Sequence, residues 1–171
     1  MKCLKCGSEL RSSKENHRYT ESGLDNVILE GVEVRRCSNC GEWEVVIPRL
    51  AELHRAIARR VATERSLLQP QEIRFLRKYL GYSGVDFASA IGVAPETISR
   101  WENGDRDMSR VAELLLRTWA LHKEPLASYP AIEPSQVEQL PKQIDPSAPA
   151  AVEVRVREKK RHWRAEPRSE A

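Results

Sequence analysis

Residues 70–104, PQEIRFLRKYLGYSGVDFASAIGVAPETISRWENG, punctuate themselves into three helices. Pro70 opens the first, Ile73, Leu76 and Leu80 share one face, and Gly81 closes it. Ser83 is placed to cap the second, with Asp86 in the capping-box position and Phe87, Ala88 and Ile91 turned inward. Gly92 supplies a tight turn, and Pro95 begins a third helix that Gly104 ends. A fourth helix is expected near Ser109, sending Val111, Leu114, Leu115 and Trp119 into the core. Helix, short turn, helix is an arrangement that binds DNA.

In the third helix, a rotation of about 100° per residue separates packing residues from exposed ones. Ile98 and Trp101 fall on one side; Glu96, Ser99, Arg100 and Asn103 fall on the other, with Thr97 at the boundary. Arg100 has the fork that pairs with guanine O6 and N7, and Glu96 can accept from cytosine N4. Ser99 and Asn103 suit phosphate or looser base contacts, and Thr97 a backbone contact. Glu102 is expected to pair with Arg77 of the first helix as a packing device.

Working towards the N-terminus, PRLAELHRAIARRVATERS at 48–66 reads as a connector helix, with Pro48 at its first position and Leu50, Leu53, Ile57 and Val61 as a narrow apolar stripe. Its arginines suit either phosphate contact or a solvated face, since the segment carries five basic and two acidic side chains (5 − 2 = +3). It is expected to be the hinge between two domains.

Before it, residues 1–47 hold all four cysteines of the chain, in two Cys-x-x-Cys-Gly turns: Cys3, Cys6 and Gly7, then Cys37, Cys40 and Gly41. Such a turn brings two thiolates to one ion, and the glycine lets the backbone curl around the sulfurs. Two turns give a closed four-thiolate site, for which structural zinc is the favoured occupant; rubredoxin-like iron and a redox dithiol are the alternatives. The long Cys6–Cys37 spacing points to a small sheet rather than a finger helix. NVILEGVEVRRC alternates around Glu30-Gly31 in the manner of a hairpin, and EWEVVI adds a strand. His17, His54, His122 and His162 join no ligand spacing.

Seven of the ten prolines lie after position 122, so residues 123–171 have the composition of a disordered tail. Its basic patch RVREKKRHWR suits either nonspecific phosphate affinity or a mobile, solvated end. The net charge of +3 is too small to identify a nucleic-acid partner by itself. No leader or membrane-length apolar run is apparent, which suggests a cytoplasmic protein with no membrane partner. No paired carboxylates, nucleophile motif or phosphate loop suggests an enzyme.

The expected fold class is therefore α+β: a small zinc-stapled β-rich domain at 1–47, a connector helix at 48–66, an all-α helix-turn-helix domain at 67–122 and a disordered tail at 123–171. LRKYLGYSGVDFASAIGVAPETISRWENG resembles the XRE family of lambda-repressor-like helix-turn-helix domains. Joined to CLKCG and CSNCG, residues 1–122 resemble the MqsA-type (YgiT-type zinc finger) antitoxins. That resemblance implies a zinc domain, ligated by Cys3, Cys6, Cys37 and Cys40, that neutralises an mRNA-cleaving ribonuclease toxin. It also implies a homodimer that represses its own operon at a palindromic DNA operator, with Arg100 reading a base. Glu96 departs from the asparagine of that family's reading helix, and the tail departs from its usual end. The competing reading is a free-standing transcriptional regulator whose zinc domain is structural.

Overall fold

The computed structural model describes residues 1–122, 153–159 and 162–165. The fold is mixed α+β, with the strands β1 (Leu10–Arg18), β2 (Val27–Cys37) and β3 (Trp43–Val46) first. Five helices follow: α1 (Leu50–Ala62), α2 (Pro70–Leu80), α3 (Gly84–Ile91), α4 (Pro95–Asn103) and α5 (Arg110–His122). Two further strands, β4 (Val154–Lys159) and β5 (His162–Ala165), complete one five-stranded sheet.

β2 is the axis of that sheet. β1 runs antiparallel along one edge, from Leu10 opposite Cys37 to Arg18 opposite Ile28. The other edge is shared: β3 pairs antiparallel with Glu33–Arg36, and β4 pairs parallel with Val27–Glu30. The hairpin expected at Glu30-Gly31 is instead a bulge within a single strand. Glu15 faces Val32 while His17 faces Leu29, so β2 carries one extra residue there. Gly31 takes φ 63° to absorb it, and its N–H is satisfied by Asn16 Oδ1 at 3.1 Å. The extra residue moves the inward positions from Val27 and Leu29 to Val32 and Val34, all four of which are buried.

The expectation of a disordered tail fails at Val154–Lys159 and His162–Ala165. Val154, Val156 and Trp163 are buried, and Trp163 donates from Nε1 to the Pro48 carbonyl at 2.8 Å. Alternation decides this: in VRVREK the valines face the core while Arg155 and Arg157 reach across to Glu30 at 2.9 and 2.6 Å. Prolines in the surrounding sequence hid a half-buried strand. The rest of that predicted tail lies outside the described residues.

α1 carries more buried surface than a hinge would. Leu53, Ala56, Ile57, Ala58, Val61 and Ala62 are all buried, and the helix packs against β4 and β5 as well as α2 and α5. Leu50, expected in the stripe, is exposed. The helix starts two residues later than the proline pattern indicated, at Leu50: Pro48 precedes the N-cap, Arg49, which adopts the left-handed conformation at φ 49°, ψ 57°. Arg49 is uncommon there for a residue with a Cβ. Its guanidinium holds Glu52 at 3.1 Å and also pairs with Glu158 of β4.

α5 is rotated from its expected phase. Ala112, Leu116, Ala120 and Leu121 are buried, Leu114 and Trp119 are half-buried, and Val111 is 80% exposed. The rotation turns a charged pair inward. Arg117 is fully buried and donates to Glu113 Oε1 at 2.9 and 2.7 Å. It also donates to the carbonyls of Ala62, Glu64 and Ser66 at 3.1, 2.7 and 2.6 Å, so one guanidinium satisfies the C-terminal end of α1 and the turn beyond it.

Candidate functional site

Each cysteine pair folds as the same knuckle. In the first, Cys3 N–H donates to the Ser8 carbonyl at 2.8 Å and Gly7 N–H to the Cys3 carbonyl at 2.9 Å. In the second, Cys37 N–H donates to the Glu42 carbonyl at 2.8 Å and Gly41 N–H to the Cys37 carbonyl at 3.1 Å. Gly7 and Gly41 both turn left-handed, at φ 74° and 75°, a conformation that closes the knuckle without a Cβ clash. β1 and β2 bring the two knuckles together, since Leu10 pairs with Cys37 where the strands meet them.

The result is a four-sulfur cluster whose ligand atoms all lie within 4.8 Å of one another. Cys3 and Cys40 sulfurs are 3.6 Å apart, and those of Cys6 and Cys37 3.4 Å. A tetrahedron of thiolates around zinc, with bonds of about 2.3 Å, has edges of about 3.8 Å. A disulfide would need about 2.05 Å, and all four thiols are free. The cluster fits zinc. Among the described residues it is the one group of histidine, cysteine or acidic side chains close enough to hold an ion.

Electrostatics agree with that geometry. The Ser8 hydroxyl and N–H, followed by the Asn39 side chain, draw the Cys6 thiol down to about 5. The Glu42 N–H works in the same direction on Cys40, but burial and the sulfurs of Cys6, Cys37 and Cys3 outweigh it and push that thiol up to about 12. Crowded sulfurs ionise at one another's expense, and a divalent cation removes the conflict.

None of the histidines approaches the cluster. His54 bonds Tyr19 Oη at 2.8 Å, and burial lowers its pKa. His17 packs edge-on to Trp43, and His122 bonds the Thr118 carbonyl at 2.8 Å. His162 sits 3.5 Å from Glu52.

The second candidate surface is α4. Gly81, Gly92 and Gly104 end α2, α3 and α4 in left-handed caps, and the Ser83 hydroxyl accepts from Asp86 N–H at 3.1 Å at the start of α3. Ile98 and Trp101 are buried, whereas Glu96, Ser99, Arg100 and Asn103 are exposed and Thr97 is half-buried. Arg77 grips Glu102 with Nε–Oε1 at 2.5 Å and Nη2–Oε2 at 3.0 Å, as expected, and donates to the Tyr82 carbonyl at 2.7 Å.

Sequence reasoning missed Arg74. It donates from Nε to Glu102 Oε2 at 3.1 Å and from Nη2 to the Glu102 carbonyl and Asn103 Oδ1, each at 3.0 Å. Its place three residues before Arg77, on the same helix face, was the available signal.

No helix among the described residues is long and apolar enough to cross a membrane. No curated protein gives a significant match to the chain. Residues 1–128, which include the cysteine knuckles and all five helices, match the model of the antitoxin component of bacterial toxin-antitoxin systems, MqsA. β4 and β5 lie beyond that match. The chain thus belongs to the MqsA family of antitoxins.

Proposed function

We propose that this antitoxin neutralises an mRNA-cleaving ribonuclease toxin through its β-rich, zinc-stapled N-terminal domain and represses its own operon through α3 and α4. Cys3, Cys6, Cys37 and Cys40 hold a structural zinc ion, which supplies cross-linking rather than chemistry. α3 and α4 act as an XRE-type helix-turn-helix, with α4 in the major groove of a palindromic operator and two copies of the chain related by its two-fold axis. Arg100 reads guanine, Glu96 accepts from cytosine, Ser99 and Asn103 assist, and Thr97 contacts the backbone.

The observation that carries the DNA half is the division of α4. Its apolar side, Ile98 and Trp101, is buried, while four polar side chains capable of base or phosphate contact remain exposed on a helix that starts at Pro95 and is capped by Gly104. The toxin half rests on the family match together with the four-sulfur cluster inside it.

The deciding experiment expresses the reading frame adjacent to this gene, alone and with this protein, and follows growth. Arrest relieved by co-expression is the expected result. Absence of arrest, or arrest without relief, would favour a free-standing regulator with a structural zinc domain. On the cognate operator Arg100→Ala should cost about 1–3 kcal/mol and relax specificity; equal loss on random DNA would reduce Arg100 to a phosphate contact.

A further inference from the structure

We propose that Arg74 fixes Asn103 as a hydrogen-bond donor towards DNA, so that its position in the half-site selects a base with a major-groove carbonyl oxygen over adenine, which carries an amino group there. This rests on the reading of α4 as the DNA-contacting helix.

Asn103 is the last residue of α4 and is exposed, so its amide would ordinarily offer both a donor and an acceptor. Paired side by side, those two groups match adenine N7 and N6, which makes asparagine a reader of adenine. Here the amide is committed. Oδ1 accepts from Arg74 Nη2 at 3.0 Å, turned back towards α2, and one N–H of Nδ2 lies 3.4 Å from Ser99 Oγ. One N–H is left for a ligand.

The orientation is set by chemistry as well as geometry. A guanidinium only donates, so flipping the amide would place an N–H against an N–H and lose a charge-assisted bond. Arg74 is itself held by Glu102, through Oε2 at 3.1 Å and the carbonyl at 3.0 Å. Glu102 is held in turn by Arg77. Ser99, acting as acceptor for Asn103, has its own O–H left to donate. With Arg100 also a donor, the outer surface of α4 is donor-rich, and Glu96 supplies its acceptor. Guanine O6 and thymine O4 complement the remaining N–H of Asn103, whereas adenine sets its N6 amino donor at that place and keeps only N7 as an acceptor, so it loses the paired contact that a free asparagine amide would make.

The test is selection of binding sites from a randomised duplex library by the full chain, comparing the unaltered protein with Arg74→Met, Asn103→Ala and Asn103→Asp. The unaltered protein should show one column in each half-site that favours guanine or thymine over adenine by about fivefold, the scale of one hydrogen bond. Asn103→Ala should flatten that column, and Asn103→Asp, which removes the donor, should reverse its preference. Arg74→Met should raise adenine there by about fivefold and leave the guanine column of Arg100 unchanged. The proposal is overturned if the Arg74 and Asn103 variants select the same sites as the unaltered protein. Failure of the unaltered protein to enrich any sequence would instead overturn the DNA-reading function on which it depends. Asn103 is exposed, so its two variants report on base choice even if Arg74→Met proves unstable.

Discussion

The sheet and the helices are held together by different kinds of interaction. Helices α2 to α5 are organised by neighbours in sequence: glycine caps, the Ser83 cap, and apolar residues at helical spacing around Phe87, Ile98 and Leu116. The sheet depends on partners far along the chain. β1 is almost entirely polar and mostly exposed, and its axis, β2, is completed by knuckles 34 residues apart (37 − 3) and by strands that arrive after residue 153. α1 stands between the two regions and buries residues against both. Local pattern builds the helical region, whereas the sheet draws its partners from distant parts of the chain.

The largest effect should come from disrupting the four-sulfur cluster. Structural zinc contributes on the order of 10 kcal/mol in small domains, far more than the few apolar residues around the knuckles can supply. Chelation, or Cys37→Ser, should collapse the dispersed amide resonances of β1–β3 while most of the far-UV helical signal persists. Simultaneous loss of both would show that α1 couples sheet and helices into one cooperative unit. Within the helical region, Arg117→Ala should be the most damaging single change, costing about 3–5 kcal/mol in denaturant unfolding. It leaves the buried Glu113 without its charged partner and takes a donor from the carbonyls of Ala62, Glu64 and Ser66 at and beyond the end of α1. A cost under about 1 kcal/mol would mean that water replaces the guanidinium.

Trp163 tests the sheet in the same way. Its ring is fully buried and its N–H holds the Pro48 carbonyl beside the left-handed Arg49. Trp163→Ala should cost about 3 kcal/mol and speed amide exchange in β4 and the Val27–Glu30 segment of β2. Unchanged exchange in β2 would show that β4 and β5 rest on a sheet that is complete without them.

The boundaries of α2, α3 and α4, their glycine caps, the two cysteine knuckles and the division of α4 are legible in the chain because each is encoded within a few residues. Other features could not. The β2 bulge looked like a turn because Glu30-Gly31 shifts the alternation by one residue, and only the facing β1 strand distinguishes the two. β4 and β5 sat in proline-rich sequence, and their burial depends on α1 and β2. The phase of α5 is hidden in the chain because Glu113 and Arg117 look like solvent-facing charges until the carbonyls of residues 62, 64 and 66 are placed beside them. For the candidate reading surface, Arg74 escaped notice because its partners, Glu102 and Asn103, lie one helix hairpin away.

The smallest effect expected is at Arg77. Burial disfavours ionised Glu102, but the hydrogen bonds and charges of Arg77 and then Arg74 outweigh it, so the folded-state pKa lies below that of the unfolded chain. A carboxylate depressed in the folded state contributes stability that is fully present above its unfolded pKa, about 4.3, and is lost as the pH falls through the folded value. Arg77→Met should therefore cost about 2 kcal/mol at neutral pH, because Arg74 still holds Glu102 when the nearly buried partner is gone. The difference between variant and unaltered protein should shrink as the solution is acidified below about pH 4. A pH-independent difference would assign the role of Arg77 to its bond with the Tyr82 carbonyl, which does not titrate, and the α2–α4 clamp would then rest on Arg74.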